Sequence, residues 1–195
     1  MNKRTFLATV AVTGLLPATV AHAAAAAATA GPALLTLSGA IGKANRGPLD
    51  RVRDEMMVKH GIKFDKAFAF DAAALRQLPA VTIKPTLEYD AKAHALSGPL
   101  LTSVLEAAGV TDATAIQVNL RALDGYNVAL PLPDVRRYGM ILATHLDGQP
   151  LGLGGLGPQW AVYDADRIAA FKDKPLKQRF ALCPWGIYHI GLKPV

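Results

Sequence analysis

The only cysteine of the 195-residue chain, Cys183, stands in the segment FALCPWGIYHI beside a proline, a tryptophan and a histidine. A thiolate is a nucleophile and a metal ligand, and imidazole is a base and a metal ligand, so this spacing could serve covalent catalysis or metal binding. In CPWG, however, Gly186 stands where a dithiol motif needs its second cysteine, which excludes dithiol exchange. We therefore predict that Cys183 is a buried, small apolar residue leading into a closing strand, in which Trp185, Ile187 and Ile190 pack.

Other catalytic and metal-binding patterns fail on spacing. Gly152, Gly154 and Gly157 spell GxGxxG, but Pro158 and a strand-like QWAVY follow where a dinucleotide fingerprint requires a helix, so we interpret the run as a loop. No serine stands in a GxSxG elbow, and no HExxH or paired CxxC occurs. Four histidines also lack the i, i+4 or alternating spacing of a local zinc site: His60, His94, His145 and His189.

Composition favours one globular domain. The chain is 51% hydrophobic and 18% charged, and its length suits a single domain with a proper core. The net charge of +6 comes from scattered residues and not from a basic stripe interleaved with aromatics, so no nucleic-acid partner is expected. One cysteine cannot form an internal disulfide, so stability must come from the core.

The first 23 residues have the pattern of a secretory signal peptide. Lys3 and Arg4 precede an apolar run, Phe6–Leu16, and a small-x-small cleavage pattern ends at Ala23. The run is shorter than the roughly 20 residues of a spanning helix, so we expect no membrane span in the mature chain. We predict a periplasmic or secreted protein cleaved near Ala23. The start also resembles a twin-arginine signal with lysine for the first arginine, which leaves that path and the general secretory path both open.

The rest of the chain divides into a disordered leader, residues 24–32, and a single domain, residues 33–195. In the domain, predicted strands outnumber short helices, and an Asp-Gly hairpin turn at Asp124 joins two of them. The predicted class is therefore α+β, with a mixed, largely antiparallel sheet.

Two prolines set local expectations. Pro85 marks the predicted strand Val81–Leu87 as an edge strand or the site of a bulge. Pro99 predicts the first position of an amphipathic helix that ends at Gly109.

One block, Leu78–Asp164, combines several specific features. A Leu-Pro pair precedes a strand, SGPLL opens a helix that closes with Ala-Gly, and DGY turns into an apolar-Pro-apolar strand. DGxPL and a Gly-Pro pair then lead to a strand containing Trp160. In this combination the block resembles the sulfite-oxidase-type molybdopterin-binding domain, and with the closing WGIYHIGL the likeness covers nearly all of residues 33–195.

This resemblance implies a domain that buries a molybdenum cofactor, whose metal is ligated by a cysteine just after the strand that here reads VTIKPTL. Thr86–Asp90 occupies that region and contains no cysteine. A hydroxyl or a carboxylate does not reproduce a soft thiolate, and Cys183 lies too far along the chain to stand in. The resemblance therefore implies an oxidoreductase-like domain without the sulfite oxidase reaction. Short, stand-alone exported members of the group look similar and also lack the cysteine.

The resemblance also implies where a remaining cofactor pocket would lie. Its candidate cofactor-binding residues are Thr86, Glu88, Tyr89, His94, Asp124, Tyr126 and Trp160. With Asp90, the side chains of Glu88 and His94 could form an oxygen- and nitrogen-rich metal site or a general base, or simply belong to a solvated loop. Trp160 could stack on a flat ring or pack in the core.

Two functions remain open at this stage, and no catalytic residue or metal-ligand set is assigned. The first is a molybdopterin-type oxidoreductase domain that holds its cofactor without cysteine ligation or with a partner's help. The second is a cofactor-free periplasmic binding or protein-interaction module on the same fold. The expected partners are a small anionic ligand or a periplasmic redox partner. Arg121, Arg136 and Arg137 could hold such an anion, or be solvated surface residues.

Overall fold

The computed structural model describes residues 29–111 and 115–195. The predicted signal peptide, residues 1–23, lies outside the described residues. No helix in the described part of the chain is long and apolar enough to cross a membrane.

The boundaries of the leader, residues 24–32, and of the domain, residues 33–195, stay predictions. The last four leader residues are described, and there the Gly31 N–H donates a 2.8 Å hydrogen bond to the Asp71 carboxylate. Asp71 also accepts a hydrogen bond from the Ala74 N–H in the first turn of the short helix that follows it, so one side chain caps that helix and holds the entering chain.

Short elements make up the fold. The first part of the chain contains β1 (Leu35–Gly39), α1 (Glu55–Lys59), β2 (Ala67–Phe70), α2 (Ala72–Arg76), β3 (Ala80–Ile83), β4 (Leu96–Pro99) and α3 (Leu101–Ala107). The second part contains β5 (Ile116–Ala122), β6 (Asn127–Pro131), α4 (Leu132–Arg137), β7 (Ile141–Ala143), β8 (His145–Leu146), β9 (Gln149–Pro150), β10 (Trp160–Val162), a 3-10 turn (Ala165–Arg167), α5 (Leu176–Arg179) and β11 (Ile187–Pro194).

A five-stranded sheet in the order β2-β1-β11-β5-β6 forms the centre of the fold. Within it β1 and β11 are parallel, and all other neighbours are antiparallel. Along β5 buried apolar residues alternate with half-buried polar ones, because successive strand side chains point to opposite faces. The sheet therefore has an apolar face against the core and a polar outer face.

Two smaller sheets complete the architecture. One has the order β3-β4-β8-β9 and the other pairs β7 with β10, all antiparallel. The class is therefore α+β with mixed, largely antiparallel sheet, as predicted. β3 lies at the edge of its sheet and is largely exposed, as Pro85 predicted, but it ends at Ile83, so residues 84–87 of the predicted strand belong to the loop that follows.

The predicted helix start at Pro99 is wrong. Gly98 and Pro99 end β4, which pairs with β3 and β8, and α3 begins at Leu101. Gly98 lies against β7 so closely that a Cβ there would be 2.0 Å from the Leu142 carbonyl oxygen. Strand pairing therefore overrides the preference of proline for a first helical turn. The helix end is as predicted, with Gly109 at φ +76°.

The core joins the apolar face of the central sheet to α3, α4, β7 and β10. Tyr163 and Phe171 stack in it with ring centroids 4.7 Å apart. Cys183 is 4% exposed, so its predicted burial is confirmed. Trp185 is 41% exposed, and its predicted packing in the closing strand is wrong, because it precedes β11 and lies outside the ladder of that strand with β5.

Candidate functional site

The β3–β4 loop, residues 84–95, carries four of the seven candidate cofactor-binding residues. The chain leaves β3 here because Pro85 has no N–H for the ladder. Leu87, only 2% exposed, anchors the loop in the core. Its N–H donates to the Lys92 carbonyl at 2.9 Å, and the Ala91 N–H donates back to the Leu87 carbonyl at 3.1 Å. The loop is therefore a compact, hydrogen-bonded turn.

His94 fastens this loop to the turn between β8 and β9. Its Nδ1–H donates to the Asp147 carboxylate at 2.6 Å, and its Nε2–H donates to Asp90 at 3.0 Å. These hydrogen bonds, that of Asp147 first, raise the pKa of His94, and they hold the pKa values of both carboxyls below their usual range. Both ring nitrogens are thus engaged, so His94 has a positioning role and no free nitrogen for a metal.

Glu88 does not join the carboxylates around His94. No group of three or more His, Cys, Asp or Glu side chains with the geometry of a metal site occurs within residues 29–111 and 115–195. The arrangement therefore gives no support to a metal centre built from Glu88, Asp90 and His94.

Thr86, in the position where the family resemblance implies a cysteine, is tied to the C-terminal part of the chain. Its N–H donates to one Asp166 carboxylate oxygen at 2.7 Å, and Arg179 donates to the other at 2.7 Å. Partial burial works to raise the pKa of Asp166, but the Thr86 hydrogen bonds and the Arg179 charge outweigh it, so that pKa lies below its usual value. The Asp166 carboxylate thus bridges the loop to α5.

Trp160 points into the core and is 1% exposed. Its indole Nε1–H donates to the Cys183 carbonyl at 2.8 Å, and its ring lies 6.0 Å from the Phe180 ring between centroids. Tyr89 covers the indole from the loop, at 6.5 Å between centroids. The indole therefore packs in the core, which is the second of the two alternatives stated for it, and presents no open face to a flat ligand.

The surroundings of Trp160 disfavour ionisation of the Cys183 thiol and the Tyr89 hydroxyl. Burial raises the pKa of the Cys183 thiol to about 12, so the thiol is protonated and a poor nucleophile. Partial burial also raises the pKa of Tyr89, and the Glu88 charge adds to the rise. Neither group is poised for proton transfer or metal ligation near neutral pH.

The hairpin turn between β5 and β6 also contacts the chain near Cys183, at Ala181. Asp124 accepts a hydrogen bond from the Tyr126 N–H at 2.9 Å and so shapes the turn. The Tyr126 hydroxyl donates to the Ala181 carbonyl at 2.8 Å while half of the side chain stays exposed.

Residues 180–186, between α5 and β11, form the α5–β11 connection. Four of the seven candidate residues are linked to this connection or to the end of α5, which precedes it. Tyr126 and Trp160 bond to its carbonyls, Tyr89 packs on the indole that it holds, and Thr86 reaches Arg179 through Asp166. His94 bonds instead to Asp147 and Asp90, and Asp124 bonds to the Tyr126 N–H.

Comparison with known families identifies the family of this chain. A family model described as the oxidoreductase molybdopterin binding domain matches residues 50–154, which is more than half of the chain. The chain belongs to this family. The matched part of the molybdopterin-binding domain contains β2 to β9 and the β3–β4 loop, whereas β1 and β11, which complete its central sheet, lie outside it. None of the curated proteins matches the chain.

The residues present do not fit the cofactor that the molybdopterin-binding domain family implies. Thr86 offers a hydroxyl in place of a thiolate, and its backbone is held by Asp166. Tyr89 of the same loop lies 6.5 Å, between ring centroids, from the buried Trp160 indole, which bonds to the α5–β11 connection. Five cavities of about 350 to 710 Å³ lie on the described residues; one of them reaches Lys84 at the start of the loop, but none of the seven candidate residues lines any of the five.

No sequence pattern marked the residues that bind Thr86 and Tyr126 in the molybdopterin-binding domain. Asp166 and the Ala181 carbonyl contact residues 80 and 55 positions away, and Arg179 acts through Asp166. Such partners follow from tertiary folding, and neither spacing nor composition marks them.

Proposed function

We propose that this protein is a cofactor-free binding module on the molybdopterin-domain fold, exported from the cytoplasm and without sulfite oxidase activity. One observation carries the proposal. The segment Thr86–Asp90, in which the family resemblance places the metal-ligating cysteine, has no thiol, and it is held in place by the Thr86 N–H bond to Asp166 and by Tyr89, whose ring lies 6.5 Å from the buried Trp160 indole. A domain that lacks the metal ligand in a segment fixed by its own contacts keeps the fold for another use.

The chemistry of the donor set supports the same conclusion. A thiolate is a soft, strongly donating ligand suited to a redox metal, and a threonine hydroxyl does not reproduce it. Thr86 has no such atom, and the thiol of Cys183 is buried and protonated. A cofactor held without a protein thiolate, alone or with a partner's help, is the competing function.

Export is supported by the first residues of the sequence. Lys3 and Arg4, the apolar run Phe6–Leu16 and the small-x-small pattern ending at Ala23 have the order of a secretory signal peptide. We expect the mature protein in the periplasmic or secreted fraction, starting at residue 24, as measured by cell fractionation and mass spectrometry of the purified chain. A full-length chain retained in the cytoplasm would contradict export.

Metal and pterin analysis tests the cofactor-free function. The protein is expressed under cofactor-replete conditions and purified from the exported fraction, with a cysteine-containing member of the family prepared in parallel to prove that molybdenum cofactor is supplied. We expect molybdenum and pterin fluorescence in the control only, and no sulfite oxidation by this protein. Stoichiometric molybdenum in this protein would overturn the proposal and favour the oxidoreductase.

A further inference from the structure

The polar outer face of the central sheet carries a row of hydrogen-bonding side chains. Strand register pairs Thr36 with His189, His189 with Arg121, and Arg121 with Asn127, which places all four on one face. Ser38 lies two residues beyond Thr36 and therefore on the same face. This face is opposite to the one that packs on the core, so the row is separate from Trp160 and Cys183.

A cavity of about 350 Å³ opens over this row, within the size range of small-ligand sites. Its donor side chains are Ser38, Lys63, Asn119, Arg121, Asn127, His189 and Lys193. Gly191 leaves space between two of them, because a Cβ there would lie 3.5 Å from the His189 ring and 3.7 Å from Asn119. Among the described residues, no carboxylate lines this cavity.

The charges of the cavity are uncompensated. Lys63, Arg121 and Lys193 form no ion pair with any residue that the structure describes. The cavity beside α4 differs, since there Arg137 pairs with Asp134 at 3.0 Å and Arg167 pairs with Asp164 at 3.5 Å. Three cations that converge on one cavity without an acidic partner favour an anionic ligand.

Ser38 and His189 form the floor of the cavity, and both are 5% exposed. Their Oγ and Nε2 atoms are 2.9 Å apart. Burial, reinforced by Arg121, lowers the pKa of His189 to about 4, so the ring is neutral at physiological pH. A base this weak does not activate the hydroxyl, and within the described residues no carboxylate orients the ring. The pair therefore suits binding, not nucleophilic catalysis.

We infer that this cavity binds a tetrahedral oxyanion, phosphate or sulfate, free or as the head of a small molecule. The donors approach from four strands, β1, β5, β6 and β11, and from the Gly61–Lys63 segment, so they surround a ligand on several sides. A tetrahedral dianion presents acceptors in all these directions, whereas a planar carboxylate does not, and a guanidinium such as Arg121 binds it bidentately. The inference names the ligand class of the binding module and so rests on the proposed function.

Calorimetric titration of the purified protein with inorganic phosphate and with sulfate, at constant ionic strength, tests the inference. We expect saturable binding of one anion per chain, weaker binding of acetate, and shifts of the His189 ring resonances in NMR spectra on binding. Absence of saturable binding, or acetate binding as tightly as phosphate, would overturn it. Metal content is a separate readout, so a molybdenum-loaded protein overturns the proposed function whether or not phosphate binds.

Three variants locate the site. Arg121→Gln removes the central cation, and we expect it to weaken phosphate binding by about tenfold or more, the loss of one charge-assisted contact. Gly191→Val narrows the cavity without a change of charge, and we expect it to weaken binding to a similar extent by obstructing the ligand. Arg137→Gln, which removes a cation at the end of α4, is the matched control and should leave binding unchanged. Loss of binding in the control with retention in the other two would contradict the assignment. Circular dichroism checks the fold, and Ser38→Ala, expected to weaken binding several-fold, replaces any variant that fails to fold.

Discussion

The indole Nε1–H of Trp160 donates to the backbone carbonyl of Cys183 at 2.8 Å, and both residues are buried. This contact joins β10 to the α5–β11 connection, and Tyr89 of the β3–β4 loop lies 6.5 Å from the same indole between ring centroids. It makes the region part of the core, and it gives the sole cysteine of the chain a structural surrounding.

Trp160→Phe should destabilise the protein by about 2 to 4 kcal/mol, because the Cys183 carbonyl loses its buried donor and the smaller ring leaves a void. Trp185→Phe is the matched control, since Trp185 is 41% exposed, and its effect should stay within about 0.5 kcal/mol. Urea unfolding measures both free energies. Equal effects of the two substitutions would contradict the packing described.

The Cys183 thiol should resist modification in the folded protein. Its pKa of about 12 and its 4% exposure predict that a disulfide reagent at pH 8 reacts at least about 100-fold more slowly than with the denatured chain. Cys183→Ala should also leave phosphate binding unchanged, because the thiol lies on the core side of the sheet. A large loss of binding by a folded Cys183→Ala protein would show that the thiol takes part in a ligand site.

The His94 contacts should contribute most to stability in mildly acidic solution. Because folding raises the pKa of His94 above 6.5, its contribution is fully present below pH 6.5 and is lost as pH rises through the folded pKa. Folding lowers the pKa values of Asp90 and Asp147, so their contributions are present above 3.8 and lost in stronger acid.

Comparison of His94→Gln with the unsubstituted protein measures this dependence. The difference in unfolding free energy should be largest between about pH 4 and 6.5 and should shrink toward pH 9. Asp147→Asn should show the same profile, because it removes the first carboxylate partner of His94. A difference that grows with pH would contradict the charged contacts.

Gly98→Ala should destabilise the fold by about 3 kcal/mol or more, because the new Cβ would lie 2.0 Å from the Leu142 carbonyl oxygen, a backbone atom that cannot yield locally. Gly152→Ala is the control, since its Cβ meets nothing within 4 Å, and it should change stability by less than about 0.5 kcal/mol. Thermal and urea unfolding compare the two. A neutral Gly98→Ala would mean that β4 and β7 are farther apart than described.

Local patterns predicted most elements of the fold. Alternation identified β5, the Asp-Gly turn placed the β5–β6 hairpin, Pro85 marked the edge of β3, and Gly109 marked the end of α3. The prediction failed at Pro99, where the residue type suits a helix start but pairing with β3 and β8 makes it a strand end. Residue preferences are weak there, and long-range pairing outweighs them.

The sequence identified the residues of the candidate site but not the contacts that those residues make. The sequence places Thr86 where a metal-binding thiolate would be needed, and this absence is chemical information that no folding step alters. It also singled out Arg121 as a possible anion ligand. It could not show that Tyr126 and Trp160 bond to the α5–β11 connection, since those partners are distant in the chain.

By itself the sequence determined the family, the class of fold, the missing thiolate and the signal-like first residues, because each depends on residue identity and short-range order. Only the tertiary structure decided that Trp160 is buried and bonded to the Cys183 carbonyl, and that Ser38, Arg121 and His189 meet on one polar face. The physical reason is that strand register and core packing bring together side chains from β1, β5 and β11, which no local pattern relates.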